Sequence, residues 1–151
     1  MPQSLGKVLV HVVFSTKDRH PFLADKSLRD ELHRYLGGHL AELDSPALIV
    51  GGVEDHIHFL CNLARTRAAA DVIRDVKRAS SLWIKTKGPA LADFAWQSGY
   101  GLFSIGASQI PAVRAYITNQ EEHHRKFSFQ DELRKLLHRY GIDFDERYVW
   151  D

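Results

Sequence analysis

Residues 47–63 read ALIVGGVEDHIHFLCNL, two apolar runs separated by Gly51-Gly52 and by the acidic pair Glu54-Asp55. The run from Ala47 to Val53 suits a buried strand opened by Pro46, the glycines permit a bend, and His56 to Leu63 alternates as a second strand. So short a connection makes the two strands pair antiparallel. A strand's period of two puts His56 and His58 on one face, with Ile57 and Phe59 on the other, so the two imidazoles can converge on one metal ion. Spacing alone leaves a second option open, a pair of exposed strand histidines, because nine histidines in 151 residues readily produce such a pair by accident.

On the N-terminal side of this hairpin, Lys7 to Ser15 (KVLVHVVFS) is a β-branched run that reads as a strand. Asp25 is a fitting N-cap for a helix over Lys26 to Leu43, where Leu28, Leu32, Tyr35, Leu36 and Leu40 recur at helical spacing. On the C-terminal side, Thr66 to about Lys87 is helical in pattern and is stopped by Gly88 and Pro89. Phe94 to Ile105 reads as a strand bent at Gly99 and Gly101. The order strand, helix, strand, strand, helix, strand defines an α+β fold: a ferredoxin-like antiparallel sheet with helices packed on one face. Beyond it, a helix capped by Ser108 and running to about Lys126 carries Tyr116 in the C-terminal part of the chain, with Pro111 in its first turn. Ser128, with Asp131 and Glu132, opens a shorter helix that ends near Gly141.

On the tyrosine helix, residues four apart share a face, so Tyr116 and Gln120 point the same way and Gln120 is a candidate oxygen ligand beside the phenol. A tyrosine at helical spacing also fits a plain core or interface position. His123 and His124, one turn further on, read as surface histidines, with approach to the metal or to a phosphate as the second option.

Composition sets the frame. A chain of 151 residues that is 44% hydrophobic can bury one core, and without a shift in composition residues 1–151 read as a single domain. No stretch approaches the run of about 18 apolar residues of a membrane span, and Met1 to Gly6 lacks the pattern of a secretory signal, so the expectation is a soluble, cytoplasmic protein. Cys61 is the lone cysteine and sits in an apolar run, which points to a packed, reduced thiol. Twenty Lys and Arg against nineteen Asp and Glu leave a net charge of +1, so any nucleic-acid binding must come from charge placement. Arg67, Arg74, Arg78 and Lys85 line up along the second helix opposite Val72, Val76, Ala79 and Trp83, either as a phosphate track or as a solvated face. Lys17 and Arg19, with His20, in the loop after the first strand are a second basic set.

Taken together, these residues resemble the single-tyrosine HUH transposases of the smallest bacterial insertion sequences. In that family a histidine, a hydrophobic residue and a histidine lie on a strand, and Tyr-x-x-x-Gln follows on a later helix; His56-Ile57-His58 and Tyr116 to Gln120 supply both. The likeness extends to His11-Val12-Val13-Phe14-Ser15-Thr16-Lys17, to Trp96-Gln97-Ser98-Gly99-Tyr100-Gly101 and to the ending Asp145-Glu146-Arg147-Tyr148-Val149-Trp150, and so covers nearly the whole chain. It implies a divalent ion, Mg2+ or Mn2+, held by His56, His58 and Gln120, and a mixed nitrogen and oxygen site suits those ions better than structural zinc. It implies Tyr116 as the nucleophile that cleaves and rejoins single-stranded DNA through a 5′-phosphotyrosine, with hairpin-containing element ends as partner. A homodimer and a hinge at Gly106 are further implications. The competing readings are a domesticated relative resembling the repeat-associated tyrosine transposases, a non-catalytic single-strand DNA-binding protein, and a hydrolase using metal-activated water in which Tyr116 is structural. The tail from Phe144 to Trp150 serves either an interface or the core.

Overall fold

A computed structural model describes residues 2–151. Strands β1 (Leu9–Ser15), β2 (Ala47–Gly52), β3 (His56–Asn62) and β4 (Gly101–Ile105) form one sheet in the order β2-β3-β1-β4. Every neighbouring pair is antiparallel, and Val13 lies opposite His58 in the β1 to β3 register. This is the ferredoxin-like arrangement that the element order dictates.

Side-chain alternation then sorts the sheet into two faces. Val10, Val12 and Phe14 of β1 and Ile57, Phe59 and Cys61 of β3 pack with helices α1 (Lys26–Glu42) and α2 (Ala69–Lys85). Leu32, Leu36 and Leu40 bring α1 onto this face, all fully buried, and each such side chain contributes about 1.5–3 kcal/mol. Asp25 caps α1 by accepting from the Ser27 amide at 2.9 Å. Burial also pushes the Cys61 thiol up to about 12, so it is inert.

The opposite face carries Val13 and Phe103 and is covered by α5 (Phe129–Arg139) through Phe129, Leu133, Leu136 and Leu137. Ser128 caps α5, accepting from the Asp131 amide at 3.1 Å. Phe144, Val149 and Trp150 pack on the same cluster, so the tail caps a core. Between α5 and β2 run α3 (Ile110–Thr118) and the single-turn α4 (Gln120–His123). Gly51 makes this approach possible, because a Cβ there would stand 2.7 Å from the Ile117 carbonyl oxygen.

Three boundaries differ from expectation. α2 begins at Ala69 rather than Thr66, because residues 64–67 close a turn in which the Arg67 amide donates to the Ala64 carbonyl at 3.3 Å, so Arg67 precedes the helix. Only Gly101–Ile105 of the expected Phe94 to Ile105 strand is sheet. Upstream, the Lys77 ammonium takes the carbonyls of Gln97, Ser98 and Gly99 at 2.8, 3.1 and 2.6 Å, which withdraws them from strand pairing. Trp96 meets β1's end through a bridge to Thr16 and donates from its indole to Ser80 Oγ at 3.0 Å. The tyrosine helix does not run on to Lys126: Asn119, at φ −93° and ψ 22°, separates α3 from α4. It also starts without a Ser108 cap, after a 3-10 turn at Ala107–Gln109 in which the Gly106 amide donates to Gln109 Oε1 at 2.7 Å.

Candidate active site

His56 and His58 project from β3 toward the face covered by α3 to α5, and both are fully buried, which excludes the exposed-pair option. His56 Nδ1 lies 2.7 Å from Asp55 Oδ1 and His58 Nδ1 lies 2.8 Å from His11 Nε2. Each ring is therefore gripped at Nδ1 by a fixed partner, and each turns Nε2 toward the same small volume. His56 Nε2 stands 3.1 Å from Gln120 Oε1, and His58 Nε2 stands 2.8 Å from Glu132 Oε1.

Glu132 is the centre of this volume. Its carboxylate is buried and accepts from the Tyr116 hydroxyl and, at 3.0 Å, from Gln120 Nε2. His124 completes the ring, with Nε2 at 3.0 Å from Gln120 Oε1 and 3.2 Å from Glu132 Oε1. His124 is thus not a surface histidine: the break at Asn119 and the turn after α4 fold it back over the site, where its Nδ1 donates to the Phe127 carbonyl at 2.6 Å. His123 stays at the edge, its Nε2 3.4 Å from Glu132 Oε2 and without a hydrogen-bond partner.

The electrostatics follow from one carboxylate among several imidazoles. Burial works against the charge on Glu132, but His58, His124 and His56 outweigh it and hold the carboxyl well below the usual range. For His56, burial is likewise outweighed by the bonds to Asp55 and Glu132, which push it up to about 9. Burial lowers His58, with the neighbouring imidazoles adding to the effect. Burial and then His58 lower His11 to about 3. Neutral His58 therefore donates from Nε2 to Glu132 and accepts at Nδ1 from His11. Burial, then the Glu132 charge, push the Tyr116 phenol upward, so in this state it is a hydroxyl and not a phenolate.

The donor chemistry fits a divalent ion. His56, His58, His124 and Glu132 each offer a ligand atom within 4.8 Å of the others. The Asp55 contact at His56 Nδ1 is the outer partner that a metal-bound imidazole requires, and His11 would serve His58 in the same way once the proton between the two rings sits on His58 Nδ1. This set is richer in nitrogen than two histidines and an amide. The sequence reading named Glu132 and His11 but did not place them in the site, although a signal was there. Phe129, Glu132, Leu133 and Leu136 recur at helical spacing, so a carboxylate sits on the buried stripe of α5, and His11 interrupts a buried β-run in the same way.

The basic residues lie elsewhere. Arg74, Arg78 and Lys85 are exposed on α2 and line a groove of about 490 Å3 with Trp96 and Tyr100, on the side of the sheet away from Tyr116. Arg67 is outside that helix. Lys17 and Arg19 form a 3-10 turn just after β1, beside the His56 end of β3. Gly106 has an ordinary extended backbone, φ −85° and ψ 156°.

A ferredoxin-like sheet whose strand histidines face a helix-borne tyrosine is the fold of the single-tyrosine transposases. The chain belongs to the family described as "Transposase IS200 like", whose model matches residues 4–120. Among solved structures it is similar to a transposase from Deinococcus radiodurans R1, with TM-score 0.61 and 21% identity over 80% of this chain and 95% of that one. It is also similar to a REP-associated tyrosine transposase bound to a REP hairpin, with TM-score 0.59 and 12% identity over 82% of this chain and 73% of that one. Comparison with curated proteins gives no match. Among the described residues, no helix is long and apolar enough to cross a membrane.

Proposed function

We propose that this chain is a metal-dependent transposase that cleaves and rejoins single-stranded DNA through a covalent bond between Tyr116 and a 5′ phosphate. The observation that carries this reading is that the Tyr116 hydroxyl shares the Glu132 carboxylate with Gln120 and His58, so nucleophile and candidate ligands meet at one buried point. His56, His58, Gln120, His124 and Glu132 are the residues to hold Mg2+ or Mn2+, whose chemistry is to polarise a phosphate oxygen. Tyr116 Oη attacks phosphorus, a phosphotyrosine forms, and the displaced strand leaves as a 3′-OH; a second 3′-OH reverses the step. One phosphodiester is exchanged for another, so no nucleotide cofactor is consumed. Asp55 and His11 keep the two strand imidazoles oriented throughout.

Hairpin-bearing single strands are the proposed substrate, since the REP-associated neighbour is bound to a hairpin. Lys17 and Arg19, with Arg67, Arg74, Arg78 and Lys85, are the proposed outer DNA contacts. The two groups stand apart on the fold, so a strand touching both and Tyr116 must pass an edge of the sheet. The homodimer and the Gly106 hinge, both implied by the family resemblance, belong to this reading. Mixing Tyr116→Phe with His58→Ala protein tests exchange of tyrosine helices, because only exchange restores a complete site.

The deciding experiment incubates the protein and Mn2+ with oligonucleotides from both flanks of its gene and resolves covalent products on a denaturing gel. A metal-dependent adduct absent from Tyr116→Phe is the expected result. Cleavage that survives the substitution without an adduct assigns the chemistry to water instead.

A further inference from the structure

A cavity of about 420 Å3 opens beside Tyr116, in the size range of small-molecule sites, about 300–1,000 Å3. Helix α5 forms one wall of it. Glu132, Lys135, Leu136, Arg139 and Tyr140 line the cavity and follow one another at intervals of three, one, three and one, a single helical face. That face passes from the buried Glu132 and Leu136 to the exposed Lys135, Arg139 and Tyr140, so it leads from the site to solvent. All of α5 lies beyond residue 120, outside the stretch that the family model matches.

The two cations on this face, Lys135 and Arg139, are uncompensated. Arg134, one residue off it, is paired with Glu146 and Asp131 at 2.7 and 3.1 Å. Among the described residues, neither Lys135 nor Arg139 has a carboxylate within ion-pair distance. Lys135 Nζ lies 3.9 Å from the Phe127 ring centroid, a contact that holds the ammonium without neutralising it. Tyr140 is fixed at the rim by its hydroxyl, which donates to the Ser104 carbonyl at 3.0 Å, and by Phe103, whose ring centroid is 4.8 Å away. Two free cations and a held aromatic ring around one cavity match the parts of a nucleotide within a strand.

Resting on the reading of Tyr116 as nucleophile, we infer that Lys135, Arg139 and Tyr140 form a nucleotide subsite beside it. The two cations take the phosphates on either side of one nucleotide, and Tyr140 stacks its base. The subsite seats the strand so that the phosphate to be attacked reaches Tyr116.

The test measures equilibrium binding of fluorescent single-stranded DNA from the gene's flanks to full-length Tyr116→Phe protein over a range of salt. In that background, Lys135→Gln with Arg139→Gln should reduce the slope of log affinity against log salt by about 1.4, roughly 0.7 for each lost phosphate contact. Lys135→Arg keeps the slope, which separates charge from fold, and a melting curve accompanies each variant. Tyr140→Ala should weaken binding about tenfold without changing the slope. An unchanged slope in the double variant, or an equal change in Arg34→Gln on α1, overturns the subsite. The adduct gel is read separately. If the wild type forms an adduct while the slopes stay unchanged, only the subsite falls. If no flank yields an adduct while the slope still drops, the nucleophile reading falls and the phosphate contacts stand.

Discussion

Gly51 of β2 lies directly under Ile117 of α3, so close that an added Cβ would meet the Ile117 carbonyl oxygen at 2.7 Å and its Cγ2 at 2.8 Å. The neighbour of Ile117 is Tyr116, and the height of α3 above the sheet sets where the phenol lies. Gly51→Ala should therefore lift α3, destabilise the fold by about 1–3 kcal/mol as overpacking does, and cut adduct formation at least tenfold. Gly37, inside α1 with open space around its Cβ position, is the matched control. Gly37→Ala should gain about 0.5–1 kcal/mol and leave the adduct unchanged. Melting curves and the adduct gel on both variants decide this, and equal behaviour would sink the idea.

Removing the central carboxylate should have two separable effects. Glu132→Gln keeps the shape of the side chain but leaves the cationic His56 with Asp55 as its one acidic partner. Breaking one partner out of a buried charged set costs about 3–5 kcal/mol, so urea unfolding in the presence of a chelator should show a clear loss. If Glu132 is also a ligand, Mn2+ affinity falls at least tenfold, read by titration calorimetry without any DNA. Unaltered Mn2+ binding would remove Glu132 from the ligand set and leave it as a counter-ion.

Three imidazoles beside one carboxylate and one amide favour a more nitrogen-loving ion than an all-oxygen site does. Mn2+ should raise the melting temperature more than Mg2+ at equal concentration. At one hundred times its dissociation constant an ion stabilises the fold by about 2.7 kcal/mol. His58→Ala should abolish the shift. An equal response to Mg2+ and Mn2+ would count against ligation by these imidazoles, His124 included.

What the sequence made legible was what local periodicity encodes. The period of two placed His56 and His58 on one face, and the period of 3.6 placed Tyr116 over Gln120, because both depend on neighbours within one element. Glu132 and His11 come to the site from elements distant in sequence, and no local pattern says which buried stripe will face which. The break at Asn119 was equally hidden, since Tyr116 to Gln120 keeps helical spacing across it, yet it is what turns His124 inward. Sheet pairing misled at Phe94 to Gly99 because a side chain, Lys77, competes for the carbonyls that a strand would use.

A last prediction concerns His33, which lies on α1 away from the Glu132 cluster and whose Nε2 has no hydrogen-bond partner. Burial, then the charge of Arg29, lower it to about 4, with Lys26 adding and Asp30 opposing. The unfolded chain takes up this proton near pH 6.5 while the folded chain resists it until about pH 4. Within that window the unfolded state binds more protons, so the contribution of neutral His33 is fully present above pH 6.5 and is lost as pH falls toward 4. His33→Gln removes the titration. The difference in unfolding free energy between wild type and this variant should be flat above pH 6.5 and should shift against the wild type, with up to one proton's slope, as pH falls toward 4. Taking the difference cancels the opposing contribution of His56, whose raised value costs stability as pH climbs toward about 9. Chemical denaturation of both proteins at matched pH values measures it, and two parallel curves would show that His33 titrates alike in both states.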